Sequence, residues 1–87
     1  MNHLYSSSHT IPLSDLPVGM QVQVLHLKAT GLSRRRLLDL GFVPGTQIKI
    51  LRKSPLGDPT AYEIRGASVA LRKEEASNIL VQPILNS

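Results

Sequence analysis

The 87-residue chain predicts a mainly β domain folded as a small barrel, and three observations carry that expectation. Short segments alternate apolar and polar residues with the period of a half-buried strand. Tight turns built on proline and glycine separate them, at Pro17-Val18-Gly19, Pro44-Gly45 and Gly66-Ala67. The alternation of the first long strand changes phase midway. A strand bent by a bulge does this, and a small barrel needs such bends to close.

Taken in order, Met1 to Thr10 is a polar, serine-rich stretch with no basic start and no apolar h-region. It is expected to be a flexible leader at 1–10, with the domain at 11–83 and a short tail at 84–87. Leu13-Ser14-Asp15-Leu16 suits one helical turn. Met20 to Val24 alternates cleanly, and the phase then slips to Leu25 and Leu27.

Leu32 to Leu37 opens the first helix. Ser33 is the natural N-cap, since its hydroxyl can accept from an exposed backbone N–H. Leu32 before the cap and Leu37 four positions into the helix have the spacing of a hydrophobic staple. Gly41 follows a leucine-rich turn, where a left-handed residue is needed to stop a helix. Phe42 falls where it packs back on Leu37, so Leu37 is expected to serve both helix ends. Pro44-Gly45 fits the centre of a type II turn, with proline presetting φ and glycine accepting positive φ. Gln47 to Lys53 is the next strand.

Ser54-Pro55-Leu56-Gly57-Asp58-Pro59 is a loop of turn formers. Thr60 to Arg65 and Ser68 to Leu71 are strands around a hairpin with Gly66 at its first central position. Lys73 to Asn78 is a short helical turn, with Glu74 and Glu75 near the end where the helix dipole favours anions. Ile79 to Val81 closes as the last strand before Pro83.

Composition bounds the function. The hydrophobic share of 41% suits a globular fold. The absence of cysteine excludes disulfides, zinc-thiolate sites and thiol catalysis. The net charge of +4 favours acidic partners. No apolar run is long enough to cross a bilayer, which makes the cytoplasm the expected location.

The residues from Arg36 to Thr46, then Pro55-Leu56-Gly57-Asp58-Pro59, then Arg65-Gly66 and Val69 to Ala76 resemble the FeoA family. These are small cytoplasmic partners of the ferrous-iron transporter FeoB. The resemblance runs from about Leu13 to Val81. It implies an SH3-like β-barrel with a short inserted helix, and a second helical turn before the last strand. It also implies a partner, the cytoplasmic part of a FeoB-type transporter, through which the protein would be peripheral to the membrane.

The candidate sites are few. No serine sits in a nucleophile motif, no carboxylate pair is poised for acid–base work, and no glycine loop cradles phosphate. No enzyme activity and no cofactor are expected. His3, His9 and His26 lack the spacing of a ligand set, so no metal site is expected. Two features point to a partner surface. Arg34-Arg35-Arg36 is the densest charge cluster, placed in a helix start where cations oppose the dipole at roughly 0.3–1 kcal/mol each. Asp39 can offset part of this through pairs with Arg36 and Arg35. Leu56, at a loop tip between Pro55 and Gly57, is hard to bury locally. Asp58 is expected to cap its own turn. The alternative class is a basic small barrel acting as a nucleic-acid-binding or regulatory module. Only Tyr5, Phe42 and Tyr62 could stack on bases, so nucleic acid is not the expected partner.

Overall fold

The structure, a computed structural model, describes residues 10–84. The expected leader, apart from Thr10, and the tail beyond Ile84 lie outside them. Tyr5, His3 and His9 lie outside them too.

Among the described residues six antiparallel strands form one sheet. In chain order they are β1 (Ile11–Pro12), β2 (Gln21–Leu27), β3 (Gln47–Lys53), β4 (Thr60–Ile64), β5 (Ala67–Leu71) and β6 (Ile79–Pro83). Their order across the sheet is β1-β6-β2-β3-β4-β5. A 3₁₀ turn (Leu13–Asp15) follows β1, helix α1 (Gly31–Asp39) joins β2 to β3, and helix α2 (Lys73–Ala76) joins β5 to β6.

Alternation places one face of each long strand inward. Val22 and Val24 of β2, Ile48 and Ile50 of β3, Tyr62 and Ile64 of β4, and Ile79 and Val81 of β6 are all buried. Leu13, Leu37, Phe42 and Ala76 join them from the turns and helices, giving one core. The sheet curls where its ladders slip. One register shift lies between Val24 and His26, where the phase change in the sequence foretold it. A second lies between Ile50 and Arg52. A bulge bends its strand and sharpens the local twist, so the sheet wraps around its core.

The end of α1 follows from its sequence. Gly41 takes φ +110°. Its N–H bonds to the Leu38 carbonyl, and the Phe42 N–H bonds to the Leu37 carbonyl, both at 3.0 Å. This is the paired closure of a Schellman motif. A side chain at Gly41 would also meet Ile64, whose Cδ1 lies 3.4 Å from the position of a Cβ. Thr46 then bonds to Val43 at 3.0 Å across Pro44-Gly45, with Gly45 at φ +94°, as a type II turn requires. The Gly45 N–H reaches the Val24 carbonyl at 2.8 Å, which fixes this turn against the bulge of β2.

Three expectations are corrected. Helix α1 begins at Gly31, with Thr30 before it and no side-chain cap. Ser33 is therefore inside the helix and cannot cap it. Leu32 faces solvent at 88% exposure, so no staple forms, and Leu37 serves only the C-terminal end. The physical cause is the glycine entry: Gly31 at φ +60° turns the chain into the helix two residues earlier than a serine cap at Ser33 would. The β4–β5 hairpin closes with Ile64 opposite Ala67, so its central pair is Arg65-Gly66. Both have positive φ, 53° and 82°, which is a type I′ turn with glycine second rather than first.

Candidate partner-docking surface

The loop between β3 and β4 is stiffened from within. The Gly57 N–H bonds to the Ser54 carbonyl at 2.8 Å, and the Ser54 N–H bonds to the Pro59 carbonyl at 3.0 Å. Pro55 and Pro59 lack donors, so the strand ladder cannot continue through them. Leu56, at the tip, is 94% exposed.

Asp58 does not cap its own turn. Its Oδ1 accepts the backbone N–H of Lys73 at 2.8 Å. The start of α2 leaves unsatisfied N–H groups, and a carboxylate there also meets the positive end of the helix. That outward demand wins over the local Asx turn. Glu75 supplies the second cap, accepting the Arg72 N–H on Oε1 at 3.0 Å. Its other oxygen pairs with the Arg36 guanidinium. Loop, α2 and α1 are thus tied in a row by two carboxylates.

The arginine cluster is divided by these contacts. Arg35 pairs with Asp39 at 3.7 Å, a largely exposed contact worth roughly 0.3–0.5 kcal/mol. Arg36 turns to Glu75 instead of Asp39. Arg34 is exposed and has no ion-pair partner among the described residues. Leu32, two residues before Arg34 on the same helix, adds an exposed apolar side chain.

Further cations gather at the base of the Leu56 loop. Lys53 and Lys73 line a shallow cleft of about 100 Å³ together with Gly57 and Tyr62. Sequence reading missed both lysines and Leu32. Lys53 directly precedes the loop and could have been found by adjacency. Lys73 arrives only through the fold. Burial pushes the Tyr62 phenol above its ordinary value, a bond with Thr60 opposes this, and the Asp58 carboxylate adds to it.

The structural-motif residues are divided among these features. Leu37, Gly41 and Phe42 end α1, Pro44 and Gly45 make the turn into β3, and Gly66 closes the last hairpin. Pro55, Gly57, Asp58 and Pro59 shape the loop beneath Leu56. Phe42 and Tyr62, the described aromatics of the nucleic-acid alternative, are buried, so neither presents a ring for base stacking. Among the described residues no three His, Cys, Asp or Glu side chains gather, and His26 stands alone on β2. No helix of the described residues is long and apolar enough to cross a membrane.

A family model of the FeoA domain matches residues 11–83. The chain is 39% identical over 72 residues to an Fe(2+) transport protein A/Fe(2+) transporter FeoB fusion protein of Porphyromonas gingivalis. That match covers 83% of this chain and 8% of the fusion protein, so the chain spans a small part of that relative. The NMR structure of a FeoA-like protein from Clostridium acetobutylicum superposes with a TM-score of 0.83 at 39% identity, over 91% of this chain and 92% of that one. FeoA of Stenotrophomonas maltophilia, crystallised with zinc and described as a prokaryotic SH3 domain protein, gives 0.72 at 32% identity, over 84% and 88%.

Proposed function

The chain belongs to the FeoA domain family, a family of ferrous iron transport, and on that premise we propose that it is a non-enzymatic accessory protein that docks on the cytoplasmic part of a FeoB-type transporter. The observation that carries this reading is the fused relative, in which a segment like this chain is covalently joined to FeoB. Fusion holds two modules at high effective concentration, which favours even a weak contact between them. Iron is the cargo of the partner, and any nucleotide chemistry belongs to the partner too. The domain works from the cytoplasmic side.

The docking surface is the face built from the Leu56 loop, α2 and α1. Leu56 supplies an apolar anchor on a stiff support, so little entropy is lost on docking. Of the Arg34-Arg35-Arg36 cluster, Arg34 supplies positive charge unpaired among the described residues, Arg35 and Arg36 being engaged by Asp39 and Glu75, with Lys53 and Lys73 at the loop base. The complementary surface is an apolar pocket with an acidic rim.

The test is a titration of the whole chain against the purified cytoplasmic region of a FeoB-type transporter. Burying Leu56 contributes about 1.5–3 kcal/mol, so Leu56→Ser should weaken binding by roughly ten- to a hundredfold. Its melting temperature should stay near that of the wild type. Binding of equal strength in both proteins removes Leu56 from the interface, and no binding by either removes the transporter as partner.

A further inference from the structure

The two end strands of the sheet are built differently. β1 is two residues long and contains Pro12, which is how natural proteins blunt an open edge. β5 is five residues long, pairs with β4 in unbroken register from Ala67 to Leu71, and carries no charge, proline or bulge. Among the described residues the sheet order places no further strand beyond it. Ala67, Ser68 and Ala70 are exposed.

The register decides which backbone groups are free. In an antiparallel ladder closed by a two-residue turn, the pair flanking the turn is hydrogen-bonded and the pairs alternate from there. Ala67, Val69 and Leu71 therefore bond to β4, and Ser68 and Ala70 direct their N–H and C=O groups outward. Beyond Leu71 the edge closes, since the Arg72 N–H bonds to Glu75 and its carbonyl accepts from Ala76 at 3.0 Å.

We propose that β5 is a strand-addition edge that takes an extended, acid-flanked peptide segment of another protein. Backbone pairing with Ser68 and Ala70 would supply affinity without regard to sequence. Charge supplies the selection. Exposed Arg65 lies before the strand, and exposed Arg72 and Lys73 lie after it. A second copy paired antiparallel about Val69 would use every free group, but it would bring the Arg65 end of each copy to the Arg72-Lys73 end of the other. Like charges in that position oppose self-pairing, whereas acidic flanks on a foreign strand are attracted at both ends. The edge shares Lys73 with the base of the Leu56 loop, but it does not use Leu56 and does not depend on the transporter reading.

The experiment is amide-resolved NMR of the whole chain with two synthetic peptides. One is Glu-Glu-Val-Thr-Val-Thr-Val-Glu-Glu, and the other replaces each glutamate by lysine. The acidic peptide should shift the Ser68 and Ala70 amides and slow their hydrogen exchange, with the lysine version weaker by about tenfold or more. Ser68→Pro removes an outward N–H that the fold does not use, and should abolish binding while leaving the β4–β5 ladder in place. Should that variant fail to fold, Ala70→Pro serves the same purpose, and the wild-type exchange data decide alone. Shifts centred elsewhere, equal binding of both peptides, or no binding would overturn the proposal. So would protection of Ser68 and Ala70 that rises with protein concentration alone, because the edge would then take a second copy.

Discussion

The Asp58 carboxylate accepts the backbone N–H of Lys73 at 2.8 Å, across fifteen positions of sequence. One side chain thereby caps α2 and holds the loop that carries Leu56. Asp58→Ala should destabilise the fold by about 0.5–2 kcal/mol, the usual worth of a cap. Asp58→Asn, which keeps an acceptor oxygen, should recover most of it. Equal losses for the two variants in urea denaturation would mean that charge, not the cap, is what matters.

Leu37 is 2% exposed beneath the closure of α1. Leu37→Ala should cost about 2–5 kcal/mol, the range for a buried leucine. The solvent-facing Leu32 gives the contrast. Leu32→Ala should change stability by less than roughly 0.5 kcal/mol. A large loss at Leu32 in chemical denaturation would restore the staple and shift the helix start.

The double variant Arg34→Glu with Arg35→Glu should leave the fold intact and weaken transporter binding. Wild-type affinity should fall as salt rises, because exposed charges are screened within about 8–10 Å at physiological ionic strength. Binding unmoved by salt and by both substitutions would make the cluster an ordinary solvated helix face.

Tyr62 sets a limit on the alkaline side. Its folded-state value lies above the ordinary 10.0, chiefly because burial disfavours the phenolate. The folded state therefore binds this proton more tightly than the unfolded chain does. The associated stability is fully present below the ordinary value and is lost as pH rises through the folded one. Tyr62→Phe should flatten the decline of stability above about pH 10, relative to wild type. Parallel declines would mean that Tyr62 ionises freely in the folded protein.

Much of this is legible in the amino-acid sequence. Gly41, Phe42, Pro44 and Gly45 each answer a local backbone demand, so the end of α1 and the turn into β3 could be read directly. The bulge in β2 was visible because a slipped phase cannot be hidden in an alternating strand. What escaped was set by distant partners or by competing local choices. Asp58 is drawn away by the start of α2, and Arg36 follows Glu75 rather than its helical neighbour Asp39. Ser33 was the expected cap, whereas the helix enters two residues earlier through Gly31, whose positive φ the sequence did not single out. The Arg65-Gly66 turn missed by one residue because the pairing of Ile64 with Ala67, not the glycine, fixes its position. For the docking surface, exposure of Leu56 was readable from its flanking turn formers, while the approach of Lys73 required the barrel.

The β1–β6 ladder sets Ile11 opposite Val81, and β6 ends at Pro83 beside Val22. The points where the chain enters and leaves the barrel are therefore neighbours. A domain with that property is modular. It can be appended to another polypeptide, or spliced into one of its loops, without forcing the host to span the barrel. Its own ends should be open to relocation: a short linker from Pro83 to Ile11 with a new opening in the Leu56 loop would preserve every strand pairing. Attachment to a much larger transporter, as in the Porphyromonas relative, asks for no rearrangement of the sheet.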